Sequence, residues 1–133
     1  MRNLLCITNA EMPFLRADGT QDLAFIAAEG PREALRLLAE QPVEAVLLDY
    51  DGRFGDVNVR QLSRWIRAAC PRAQIILLSN KPLLPEQIPP TVDAVLSKRA
   101  TRELIAATVS YLFQLQAPAP AGEPWQSAAS HAD

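Results

Sequence analysis

The sequence predicts an α/β fold built on a doubly wound, five-stranded parallel sheet, and three observations carry that prediction. Short apolar runs of strand length alternate with stretches of helical periodicity, the signature of βα units. The run Ala45-Val46-Leu47-Leu48 shows no polar alternation, as expected of a central strand covered by helices on both faces. Finally, three apolar runs end on polar residues: Ala45 to Leu48 on Asp49, Ile75 to Leu78 on Ser79, and Ala94 to Leu96 on Ser97-Lys98. In a parallel sheet those ends share one edge, where open α/β sheets place their chemistry because the loops diverge there.

Taken in order, Leu4 to Ile7 reads as the first strand and Asp22 to Ala27 as the second, introduced by the Asp18-Gly19 turn signal. Residues 8 to 21 include Pro13 and Gly19 and have a weak apolar pattern, so the first crossover is expected to be short or irregular. Pro31 to Glu40 is a helix, with proline in its first turn and Ala34, Leu35, Leu37 and Leu38 on one side. It stops before Pro42. After the third strand, Asp51 to Asp56 forms a loop. A helix from about Val57 to Ala69 follows, with Val59, Leu62, Trp65, Ile66 and Ala69 at helical spacing, which assigns Trp65 to the core.

Ile75 to Leu78 is the fourth strand and Asp93 to Leu96 the fifth. Between them Asn80 to Thr91 contains prolines at 82, 85, 89 and 90, leaving room for a short helical turn at most. Pro82 to Pro85 gives one bare PxxP, a weak binding signal. Thr101 is a plausible N-cap for the last helix, whose apolar face carries Leu104, Ile105, Thr108, Val109, Leu112 and Phe113. Residues 1–116 therefore read as one domain. Residues 117–133, rich in Ala and Pro, read as a disordered tail with Trp125 as its only large apolar residue.

Composition narrows the function. Hydrophobic residues at 49% and charged residues at 21% are ordinary for a globular domain, which excludes a fibrous or wholly disordered chain. The formal charge of −2, with basic residues spread along the chain, lacks the footprint of a nucleic-acid binder. No apolar stretch approaches the roughly twenty residues of a membrane span, and Leu4 to Ile7 is too short for a signal peptide, so a cytoplasmic location is expected. Cys6 and Cys70 lack CxxC spacing and read as reduced thiols. His131, the only histidine, cannot make a zinc site or a histidine dyad by itself. Neither GxGxxG nor GxxxxGK[ST] occurs, so no nucleotide-binding enzyme is indicated.

What remains is Asp49, Ser79 and Lys98: a nucleophilic carboxylate, a hydroxyl to bind a phosphoryl oxygen, and a fixed positive charge to stabilise developing negative charge. That set suits phosphoryl transfer to aspartate. The competing reading of the same residues is an Asp49–Lys98 ion pair, since a partly buried charge needs a partner, with Ser79 as a turn-forming hydroxyl.

Alternating strands and helices fit the flavodoxin-like sheet order 2-1-3-4-5. Over about residues 3 to 115, the chain resembles a response-regulator receiver domain of the CheY-like type. Three stretches carry the resemblance: Ala45-Val46-Leu47-Leu48-Asp49 for the phospho-acceptor strand, Ile76-Leu77-Leu78-Ser79 for the strand ending in Ser or Thr, and Val95-Leu96-Ser97-Lys98 for the strand ending in Lys. Ser79 follows Asp49 by 30 positions, which suits the family. Lys98 to Ile105 resembles the last strand–helix junction of receivers that carry a helix-turn-helix output domain.

The resemblance implies that Asp49 accepts the phosphoryl group, that Ser79 contacts it and switches rotamer, and that Lys98 pairs with its oxygens. It implies a histidine kinase or phosphotransfer protein as donor and a separate downstream protein as recipient of the signal, acting through protein contacts in a stand-alone receiver rather than as an enzyme. It also implies Mg²⁺, held in receivers by two acidic residues after the first strand. Here those positions are Thr8 and Asn9, and with Asp49 and neutral oxygens alone a hard cation loses most of its attraction. The candidate metal ligands are thus Asp49 with Glu11 or Asp51, should their loops bend inward. The chain departs from the family again at Val95, where receivers carry an aromatic switch residue. The alternative is a pseudo-receiver that works, without phosphorylation, as a binding or dimerisation module.

Overall fold

The computed structural model describes residues 2–7, 23–51 and 54–116. Five strands, β1 Arg2–Ile7, β2 Leu23–Ala28, β3 Ala45–Asp49, β4 Gln74–Ser79 and β5 Ala94–Ser97, form one sheet in the order β2-β1-β3-β4-β5. Every neighbouring pair is parallel, so each connection must cross the sheet before the chain can pair again. Among the described residues three helices, α1 Pro31–Glu40, α2 Val59–Ala69 and α3 Arg102–Gln116, belong to the later crossovers and to the last described segment. This is the flavodoxin-like arrangement that the alternating pattern predicts.

Two apolar layers explain why β3 and β4 show no polar alternation. Leu5, Ile7, Val46, Leu48, Ile75 and Leu77 face α1 and α2, while Leu4, Cys6, Leu47, Ile76 and Leu78 face Ile105, Val109 and Leu112 of α3. Both faces of the central strands are dry, so both sets of side chains are apolar. Cys6 is fully buried among aliphatic neighbours, and Cys6 and Cys70 are both free thiols.

The fourth crossover contains only the 3₁₀ turn Pro85–Gln87, as its prolines predict. It is strapped to α2 by side chains. Arg60 donates to the carbonyl of Glu86, Ser63 bonds to Thr91 at 2.6 Å, and Arg67 reaches Thr91 and Asp93. The third crossover reverses at Gly55, whose φ of +67° lies in the left-handed region that suits glycine. Next to it, Phe54 is buried against the α1–α2 layer.

Some expectations need correction. Trp65 is 41% exposed and not core. The buried stripe of α2 runs through Leu62, Ser63 and Ile66, and Trp65 stands at its edge; Ala69 is exposed as well. On α3 the buried positions are Arg102, Ile105, Val109 and Leu112, which turns Leu104 out to 47% exposure. The fifth strand starts at Ala94, one residue later than expected, and includes Ser97. Thr8, Asn9, Glu11, Trp125, His131 and the 117–133 tail lie outside the described residues. Among the described residues no helix is long and apolar enough to cross a membrane.

Candidate functional site

Parallel register brings the polar strand ends together. Asp49 pairs with Leu78, and Ser79, the next residue on β4, pairs with Ser97 on β5. The ladder continues beyond the strands: the amide of Tyr50 donates to the carbonyl of Leu78 at 2.8 Å and that of Lys98 to Ser79 at 3.1 Å. The turn after β5 is closed by Ser97, whose hydroxyl accepts from the amide of Arg99 and whose carbonyl accepts from that of Ala100. Lys98 is thereby held at the end of β5 with its stem over the rim.

Its ammonium stands 2.7 Å from Oδ1 of Asp49 and 2.8 Å from Oδ2 of Asp51. Asp49 is 2% exposed, and a carboxylate so placed requires partners. Lys98 supplies one. The amide of Asp51, which donates to the same Asp49 oxygen at 3.0 Å, supplies another. Burial pulls the Lys98 amine down, but its hydrogen bonds to the two carboxylates and their charges outweigh that, and the net movement is upward from the ordinary 10.5. The effect reaches β1: burial, and then the charge of Asp49, push the Cys6 thiol up to about 12.

Asp49 and Lys98 therefore meet, and Asp51 does turn inward. Ser79 reaches the same rim but spends its hydroxyl differently, donating to the carbonyl of Lys81 at 2.8 Å and accepting from the amide of Lys81 at 3.3 Å. That is a turn of the kind a strand-end serine forms locally. Behind it, between the ends of β4 and β5, lies an open cleft of about 300 Å³ lined by Ser79, Lys81, Pro82, Val95 and Leu96. Val95 is the position where the resemblance anticipates an aromatic. A second cleft of about 420 Å³ lies between Tyr50, the start of α2 and the proline-rich crossover.

The donor set can be tested against Mg²⁺. The two described carboxylates share one ammonium within 2.8 Å, and among the described residues no cluster of three ligating side chains occurs. A small hard cation needs near-octahedral oxygen ligands at about 2.0–2.1 Å. A bridging ammonium between the only two described anionic donors does not fit that demand. Sequence reasoning also missed the Arg67–Asp93 pair at 2.7 Å, which anchors the far end of the fourth crossover at the entry to β5; its signal was an arginine directly after core residue Ile66. Asp51, two positions after Asp49, is read from the sequence only as a candidate metal ligand, and its pairing with Lys98 is a finding of the structure.

The architecture matches solved structures closely in shape and weakly in sequence. The signal receiver domain of an HD domain-containing protein from Pseudomonas fluorescens aligns over 86% of this chain and 88% of its own, with a TM-score of 0.70 and 20% identity. The receiver domain of a sensor histidine kinase from Pseudomonas aeruginosa, with a magnesium ion coordinated in its active-site cleft, aligns over 83% and 95%, with a TM-score of 0.63 and 19% identity. A response regulator from Burkholderia pseudomallei, with a phosphorylated aspartic acid, aligns over 88% and 74%, with a TM-score of 0.66 and 22% identity. The fold is that of a receiver domain. No family model and no curated protein matches the sequence.

Proposed function

We propose that this chain is an atypical receiver domain in two-component phosphorelay signalling, with Asp49 as phospho-acceptor and protein contacts as its output. The observation that carries the reading is the 2.7 Å contact between the Lys98 ammonium and Oδ1 of Asp49 at the carboxyl edge of a parallel sheet. A phosphohistidine on a histidine kinase or phosphotransfer protein is the donor. Its phosphorus–nitrogen bond breaks as a bond forms from phosphorus to an Asp49 oxygen, and the imidazole leaves with the electron pair. Lys98 then pairs with the new phosphoryl oxygens, and the added charge is the switching input. Ser79 joins only by giving up its bonds to Lys81.

A second reading has its own support. The hydroxyl of Ser79 is engaged in a turn and Lys98 holds two carboxylates, an arrangement that is complete as it stands and suits a phosphorylation-independent module for binding or dimerisation. Incubation with acetyl phosphate and Mg²⁺, followed by intact-mass measurement of wild type and Asp49→Asn, separates the two. A phosphoryl-sized gain confined to wild type supports the relay. No gain, under conditions that modify an ordinary receiver, supports the binding module.

A further inference from the structure

Building on the acceptor role proposed for Asp49, we infer that Asp51 is a positioning residue: the resting counter-ion of Lys98, engaging that ammonium in competition with the phosphoryl oxygens of modified Asp49. The ammonium has three N–H donors, and two are committed, to Asp49 at 2.7 Å and to Asp51 at 2.8 Å. The two acceptors differ in how readily they can leave. The Asp49 side chain is 3% exposed and the Asp51 side chain 39% exposed, so only Asp51 can exchange its ammonium for water at little cost. An ion pair with one partner this wet is weak. A phosphoryl group on Asp49 brings additional negative charge and strong acceptor oxygens, as other phosphorylated side chains do. It competes for Lys98 at a site where Asp51 already supplies like charge.

Asp51 therefore opposes transfer in the resting protein and gives way once it has occurred. This role is distinct from metal ligation, because the Asp51 oxygen in question faces an ammonium, and the two roles predict opposite effects of removing the carboxylate. Acetyl phosphate modifies Asp49 by breaking the bond between phosphorus and the acetate oxygen, with acetate as leaving group. With this donor and Mg²⁺ present, intact mass is followed in time for wild type, Asp51→Asn and Asp51→Glu. Asp51→Asn is expected to accumulate the phosphoryl adduct about two- to fivefold faster, the span of an exposed ion pair, while Asp51→Glu, which keeps the charge, stays near wild type. An equal or slower rate in Asp51→Asn overturns the inference and leaves the acceptor role standing. No adduct in any of the three overturns both.

A second measurement needs no phosphodonor. The side-chain ammonium resonance of Lys98, read by NMR, shifts in Asp51→Asn and returns toward the wild-type position in Asp51→Glu. An unchanged resonance overturns the pairing itself. A purely structural role for Asp51 would lower stability without speeding modification.

Discussion

Lys98 and Asp49 face each other across the ends of two strands that are not neighbours, with their charged atoms 2.7 Å apart and β4 lying between β3 and β5. The two members are unequal. Asp49 is almost completely enclosed, whereas Lys98 keeps 13% side-chain exposure and a second carboxylate. Lys98→Met removes the ammonium from an enclosed carboxylate and is expected to cost about 3 kcal/mol. Asp49→Asn leaves Lys98 paired with Asp51 and is expected to cost about 1 kcal/mol. Urea unfolding of both variants checks this. Equal losses would show that enclosure of Asp49 does not set the energetics.

Alkaline pH is expected to destabilise the fold, with the direction set by two raised pKa values. The Cys6 thiol, ordinarily at 9.0, is pushed up to about 12. Below about 9 it is protonated in both folded and unfolded chains, and its contribution is fully present. Above that, the unfolded chain loses its proton first, and stability falls by up to about 1.4 kcal/mol per pH unit until the folded thiol also titrates. Lys98, raised from 10.5, acts in the same sense at higher pH: its stabilisation is lost as pH rises through the folded value. Urea midpoints measured at several pH values from neutral to alkaline should therefore decline in wild type. Cys6→Ala should flatten the decline that begins near pH 9, and an unchanged slope in that variant would show that Cys6 is not its source.

How much of this was legible in the sequence depends on how local each signal is. The shared edge followed from apolar runs that stop at Asp49, Ser79 and Ser97-Lys98, because strand burial and strand ends are written directly into hydropathy, whereas the sheet order followed from the fit of alternating strands and helices to a flavodoxin-like sheet. The helixless fourth crossover was equally plain from its prolines. Helix phase was not. Val59, Leu62, Trp65, Ile66 and Ala69 fit a broad apolar stripe, but the sheet fills only the part centred on Leu62 and Ile66, and no local rule says which edge of such a stripe faces water. The hydroxyl of Ser79 was ambiguous for a related reason: one side chain can serve a site or close a turn, and the bonds to Lys81 depend on how Asn80 and Lys81 leave the strand.

That phase has a measurable consequence. Ile66 is fully buried between α2 and the sheet, while Trp65 beside it is 41% exposed. Ile66→Ala opens a cavity in a packed layer and is expected to cost about 2–4 kcal/mol. Trp65→Gln, despite deleting the larger side chain, is expected to cost under about 1 kcal/mol. Thermal or urea unfolding of the pair decides it, and a tryptophan loss that matched the isoleucine loss would place Trp65 back in the core.

Arg67 offers a test of what holds the crossover in place of a helix. Its Nη1 donates to the carbonyls of Pro71 and Ala73, and its Nη2 to the carbonyl of Thr91 and to Oδ2 of Asp93. Asp93 Oδ2 in turn accepts from the amide of Ile75 at 2.8 Å. One planar guanidinium thus ties the end of α2 to the entry of both β4 and β5, and the four acceptors lie in directions that a single ammonium cannot serve together. Arg67→Ala is expected to cost about 2–3 kcal/mol, and Arg67→Lys is expected to recover less than half of it because it keeps the charge but loses the fork. Full rescue by lysine in urea unfolding would mean that the charge pair with Asp93 dominates. Failure of lysine to rescue would assign the stability to the carbonyl contacts, which bind α2 to the end of the crossover at the strand-entry edge, opposite the Asp49–Lys98 rim.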